Sequence, residues 1–160
     1  MSSMLKLRSI NDEIQDRGHQ YSNQVLEHNA ITTNETQSAW LGLAPNSKVY
    51  HSKVVHYENA LPVQLEERFV NPGLAPEYLT QDFTQITANQ YLIKVAPLTE
   101  ADHVVEAVLP SEIEAELLNI DKSQPCLKVC RRTFSAKGIV NFAILLHPGS
   151  RYHLGGHFDY

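Results

Sequence analysis

The 160-residue chain has no apolar run near the ~18 residues that a membrane span needs. Its N-terminus also lacks the charged-then-apolar pattern of a secretory leader, so no membrane partner is expected and a cytoplasmic setting is. Cysteine is scarce. Cys126 and Cys130 are the only two, and on an extended strand they stand roughly 13 Å apart, too far for a shared disulfide or a shared metal ion. Positive charge is in deficit, 13 Lys and Arg against 18 Asp and Glu for a formal net charge of −5, so the segment offers no basic face to a phosphate backbone. The motifs G-x-S-x-G, H-E-x-x-H, the P-loop glycine pattern and G-x-G-x-x-G are missing, which argues against an enzyme of those classes. Eight histidines invite a metal, but His153 and His157 lie four apart in a segment read as extended and cannot chelate one ion. Neither a metal nor a cofactor is expected.

What is present suffices for one domain with a sizeable core, at 42% hydrophobic residues. Its organising stretch runs from His56 to Pro72. Asn59 and Pro62 mark a turn, after which Val63, Leu65 and Phe69 recur on one face of a strand. The other face carries Gln64, Glu66 and Arg68, a polar row about 13 Å long at ~3.3 Å per residue. That row either lines a polar pocket or is a solvated sheet face carrying a weak surface ion pair.

Taken in order, residues 1–8 read as a tag or linker remnant, and the chain as starting in mid-protein. Ser9, Asp12 and Gly18 bound a short helix, and His19 to Ile31 reads as a strand. Thr32 with Glu35 forms a capping-box pair ahead of a second short helix through Trp40. Lys48–Glu58 and Leu61–Asn71 then pair as a hairpin whose register stays open. A two-residue loop sets His51 and Lys53 beside Arg68 and Glu66; a three-residue loop sets Ser52, Val54 and His56 there. Pro76 opens a helical turn, Thr87 with Gln90 caps a helix that Pro97 ends, and Asp102 to Leu109 is a strand. Ser111 with Glu114 caps a helix expected to bury Ile113, Leu117 and Leu118. Pro125–Phe134 and Ile139–Leu146 form central strands around a glycine turn, and a last strand is expected from Arg151-Tyr152. The result is an α+β domain, a mainly antiparallel sheet of about six strands with flanking helices.

Glu66, Arg68, Arg131 and Arg132 stand out because they interrupt apolar strands, where charge is costly unless paired or ligand-bound. A guanidinium fork suits a small carboxylate, and of the adjacent Arg131 and Arg132 only one can face a given side of the strand. The competing reading pairs Glu66 or Glu67 with one of these arginines as a structural bridge. Tyr91 and Tyr152 could wall a planar ligand or sit in the core, and His56 could bind a ligand or merely sit in the hairpin.

At these residues the chain resembles a known family. Arg17-Gly18-His19, Val55-His56-Tyr57-Glu58-Asn59, Pro62 to Pro72, Tyr78-Leu79-Thr80-Gln81-Asp82-Phe83, Arg131-Arg132-Thr133-Phe134 and His147-Pro148-Gly149-Ser150-Arg151-Tyr152 are similar to segments of the effector-binding (UTRA) domain of GntR-type transcriptional regulators, in its histidine-utilisation branch. The resemblance implies a chorismate-lyase-like fold over residues 9–160, a homodimer, and an N-terminal winged helix-turn-helix that this chain does not contain and through which operator DNA would be reached. In that branch it implies urocanate, or a related imidazole acid, as inducer. By position the effector-binding residues would be His56, Glu66, Arg68, Tyr91, Arg132 and Tyr152, which favours the even-numbered hairpin face. Arg68 or Arg132 would then pair with the carboxylate and Glu66 would accept from the imidazole N–H. Two departures are Ala60, where related chains often have glycine, and Val54 and His56, where sugar-phosphate sensors of the family place arginines. Two other functions are compatible with the fold: a chorismate-lyase-like enzyme, and a ligand-free dimerisation module in which Glu66 and Arg68 simply pair and no pocket exists.

Overall fold

The computed structural model of the protein describes residues 2–3 and 8–160. Its elements run β1 (Ser2–Ser3), α1 (Ile10–Asp16), β2 (Tyr21–Thr32), α2 (Glu35–Trp40), β3 (Lys48–Glu58), β4 (Leu61–Val70), α3 (Ala88–Val95), β5 (Glu100–Val108), α4 (Glu112–Leu118), β6 (Cys126–Ser135), β7 (Gly138–Pro148) and β8 (Leu154–Gly155). Strands β2 to β7 form one antiparallel sheet in the order β2-β3-β4-β7-β6-β5, which is the α+β class expected. The two hairpins place β4 and β7 at the centre, and β7 is buried on both faces, as its run Ile144-Leu145-Leu146 predicts.

Local chemistry explains most helix starts. Thr87 with Gln90 and Ser111 with Glu114 both close reciprocal capping boxes at α3 and α4. The second helix departs from the expected Thr32/Glu35 pair: Asn34 is the cap and Gln37 its partner, because β2 extends through Thr32 and uses that residue in the sheet. In α4 the buried residues are Ala115 and Leu118, whereas Ile113 is 66% exposed, on the side turned away from the sheet.

The hairpin resolves its register by a combination that neither simple alternative contains. Glu58 faces Leu61 across a two-residue loop, Asn59-Ala60, both residues with positive φ (50° and 66°). A bulge then intervenes. Tyr57 faces Pro62 but His56 faces Gln64, leaving Val63 as the extra residue, so Val54 faces Glu66 and Ser52 faces Arg68. The even-numbered face is reached from a two-residue loop because the bulge restores the offset that a third loop residue would have supplied.

The strand expected from Arg151 begins later. Gly149–Arg151 is a 3-10 turn, and Leu154–Gly155 forms only a two-residue parallel pair with Ser2–Ser3. Arg151 donates to the carbonyls of Pro62, Leu118 and Asn119, which ties the turn to the C-terminal end of α4 and holds it off the sheet. Of the segment 1–8 read as a tag or linker, residues 1 and 4–7 lie outside the described residues.

Apolar clusters hold both faces of the sheet. On one, Val55, Leu65 and Leu146 pack under α4 through Leu118, and Val49, Phe69 and Phe142 pack under α2, where Trp40 stacks on Phe142 at 4.3 Å. On the other, the segment carrying α3 covers Val70 with Tyr78, Phe83, Tyr91 and Leu92. Beside this cover the second face stays open as a cleft.

Candidate functional site

The cleft is built on the odd residues of β7 and the even residues of β4. Leu145 lines it, faced by Glu66 on one neighbouring strand and by Val129 on the other; Ala143 in turn lies between Arg68 and Arg131. The cleft encloses about 30 Å³ and opens to solvent at its mouth. Its rim comes from α1 and the residue before its N-cap, through Arg8, Ile10 and Glu13, and from the start of α3, through Thr87 and Asn89. The two N-caps are joined: Ser9 and Thr87 hydroxyls meet at 3.0 Å, and Gln90 donates to Asp12.

Beneath the cleft lies an ionic network that is not a solvated face. Glu66 and Arg68 are 3% and 2% exposed, with Arg68 Nε donating to Glu66 Oε2 at 3.1 Å and His56 Nε2 donating to Glu66 Oε1 at 3.0 Å. Burial opposes ionisation of Glu66, yet the charge of Arg68 and then His56 overcome it and hold the carboxyl far below the usual carboxylate range. The same carboxylate outweighs desolvation at Arg68 and raises its pKa. The remaining contacts orient these groups. Arg68 Nη1 donates to Asn141, which reaches Thr133, while the Tyr21 hydroxyl meets His56 Nδ1 at 2.7 Å and accepts from Asn23.

A second polar unit flanks this network. Gln64 Nε2 donates to His147 Nε2 at 2.9 Å, and His147 Nδ1 donates to the Leu127 carbonyl, a pattern that requires a neutral ring. Burial agrees, bringing the His147 pKa down to about 3. Tyr152 stacks on this ring at 3.6 Å and also lines the cleft.

Of the six residues expected at the site, His56, Glu66, Arg68 and Tyr152 come together here. Tyr91 does not line the cleft; it is buried in the cover, 6.3 Å from Tyr78. Arg132 lies on the other face of β6, 3.9 Å from Asp102, because the register with β7 turns Arg131 toward the cleft. Burial first, and the Arg68 cation second, lower the Arg131 pKa to about 10, so it remains charged at neutral pH. Sequence reasoning also missed Asn89 and His147. The rule that adjacent strand residues face opposite ways limits β6 to one of its two arginines, but the choice depends on a pairing register interrupted by a bulge at Thr133/Phe134.

A wider groove of about 450 Å³ between Leu74, Val95, Leu98 and Lys137 has no buried ion pair in its lining. Among the described residues no group of three or more His, Cys, Asp or Glu side chains is placed to hold a metal ion, and no helix is long and apolar enough to cross a membrane.

Comparison with known proteins gives a consistent result. The chain is 46% identical over 158 residues to the histidine utilization repressors of Pseudomonas putida and Pseudomonas aeruginosa, which covers 99% of this chain and 64% and 63% of theirs. It thus spans just under two thirds of the length of these relatives. The solved C-terminal domain of the histidine utilization repressor from Pseudomonas syringae pv. tomato superposes with a TM-score of 0.85 at 45% identity, over 88% of this chain and 100% of that one. PhnF from Mycobacterium smegmatis superposes with a TM-score of 0.84 at 16% identity, over 99% of this chain and 71% of that one, a likeness of fold. The UTRA domain family matches residues 16–153, and the chain therefore belongs to the UTRA domain family.

Proposed function

We propose that this chain is the effector-sensing domain of a repressor of histidine utilisation and that the cleft over Glu66 binds urocanate or a closely related imidazole acid. It is a regulatory domain and not an enzyme, as the repressor names of its relatives indicate. The observation that carries the reading is the buried, ionised Glu66 beside an open cleft, with its two oxygens fixed by His56 and Arg68 and lone pairs left for a further donor. An imidazole N–H is such a donor. Tyr152, held flat on the neutral His147 ring, offers a planar surface to a conjugated ligand. A ligand-free module with a simple Glu66–Arg68 bridge accounts for the pair but not for the cleft beside it.

Effector binding acts by population shift: the ligand favours one arrangement of a homodimer and thereby alters the spacing of the DNA-reading heads. Calorimetric titration with urocanate, with histidine and a sugar phosphate as controls, tests the reading. Selective heat with urocanate is expected. Equal or stronger binding of a sugar phosphate, or no binding of urocanate by the folded chain, contradicts it.

A further inference from the structure

Four buried side-chain nitrogens lack a hydrogen-bond partner among the described residues: His51 Nδ1, Asn89 Nδ2, Arg131 Nε and Arg132 Nε. Such unpaired polar atoms are costly in a folded protein unless something absent satisfies them. Two have a nearby carboxylate oxygen, Glu27 at 3.4 Å from His51 and Asp102 at 3.9 Å from Arg132. The other two, on Asn89 and Arg131, line the same cleft. They approach it from different elements, the first turn of α3 and the middle of β6.

Arg68, by contrast, already holds two partners. Its Nε is spent on Glu66 and its Nη1 on Asn141, and it is 2% exposed. The cleft thus has two chemically distinct sides. Glu66 on β4 presents an acceptor, and Arg131, two strands away across Leu145 and Ala143 of β7, presents a donor fork. Neighbouring strands are about 4.8 Å apart, so the two backbones stand roughly 10 Å from each other and their side chains converge over an apolar floor. A ligand suited to this cleft has an N–H at one end, a carboxylate at the other and a flat, unbranched body between them.

Resting on the effector reading above, we infer that Arg131 and Asn89 form the carboxylate subsite of the cleft, with Arg131 rather than Arg68 or Arg132 as the specificity-determining cation. Arg131 donates from its guanidinium to the ligand carboxylate and Asn89 Nδ2 supplies a second donor, which leaves the Glu66–Arg68–His56 network intact beneath the imidazole end. Selectivity for an acid over its neutral amide therefore resides on β6.

The experiment compares urocanate with its carboxamide by calorimetric titration of the wild-type chain, Arg131→Gln, Asn89→Ala and, as a control on the opposite face, Arg132→Gln. The wild type is expected to favour the acid on the order of tenfold to a hundredfold, the range of a charge-assisted hydrogen bond. Arg131→Gln is expected to bring the ratio near one, Asn89→Ala to reduce it, and Arg132→Gln to leave it unchanged. The ratio is the informative readout, since a general loss of structure weakens both ligands together. An unchanged ratio in Arg131→Gln, or its loss in Arg132→Gln, overturns the assignment. The wild-type comparison needs no variant to fold: equal binding of acid and amide overturns the subsite while leaving the effector reading standing, whereas binding of neither removes both.

Discussion

The two faces of β4 are both largely buried and differ in chemistry. Leu65 and Phe69 pack into apolar clusters under α4 and α2, and their contribution follows from area removed from water and from close packing. Gln64, Glu66 and Arg68 on the reverse face are 6%, 3% and 2% exposed, yet none is apolar. Their burial is sustained by mutual pairing and by oriented neighbours, a satisfied network that tolerates the loss of both charges better than the loss of one. An apolar face of this kind stabilises the fold, while the charged face holds its polar groups in fixed orientations beside a cleft.

The strongest way to break the contrast is Glu66→Ala, which strands Arg68 as a buried cation. A loss of about 3–5 kcal/mol is expected in denaturant unfolding, whereas the paired replacement Glu66→Leu with Arg68→Met should fold with stability close to wild type. If the single and double replacements cost the same, the network is not coupled. On the apolar face, Leu118→Ala opens a cavity under α4 where Leu118 is 0% exposed, and about 3 kcal/mol is expected by the same measurement. There no second replacement of a neighbour should rescue it.

Acid titration resolves two steps within the charged face. His147 has a folded pKa of about 3 against about 6.5 when unfolded. The unfolded chain therefore binds the extra proton first, and stability should fall by about 1.4 kcal/mol per pH unit from near pH 6.5 downward. Glu66 adds its own loss only below its unfolded pKa of about 4.3, because its folded value is depressed. His147→Gln should remove the first slope and keep the second; a profile flat down to pH 4.5 in the wild type contradicts a buried neutral His147.

The sequence displays the apolar face more completely than the charged one. Period-2 alternation in β4, the unbroken apolar run of β7 and the paired caps Thr87/Gln90 and Ser111/Glu114 are local signals, so strands and helices were readable where they occur. The cleft depends on non-local register. The bulge at Val63 decides that His56 rather than Lys53 stands near Glu66, and the β6–β7 pairing decides between Arg131 and Arg132. Neither bulge has a glycine to announce it, and Asn89 reaches the rim only because α3 folds back over the sheet. The smallest test concerns one such local choice: Asn34→Ala should cost about 1 kcal/mol as the true cap of α2, while removing the Thr32 hydroxyl should not disturb that cap.

The central claim is that the charged network and the cleft beside it form an effector site. The most direct measurement is calorimetric titration of urocanate into the wild-type chain and into the folded Glu66→Leu/Arg68→Met double variant. The account predicts saturable binding to the wild type and none to the double variant at matched stability. Equal binding by both would place the ligand elsewhere and contradict it.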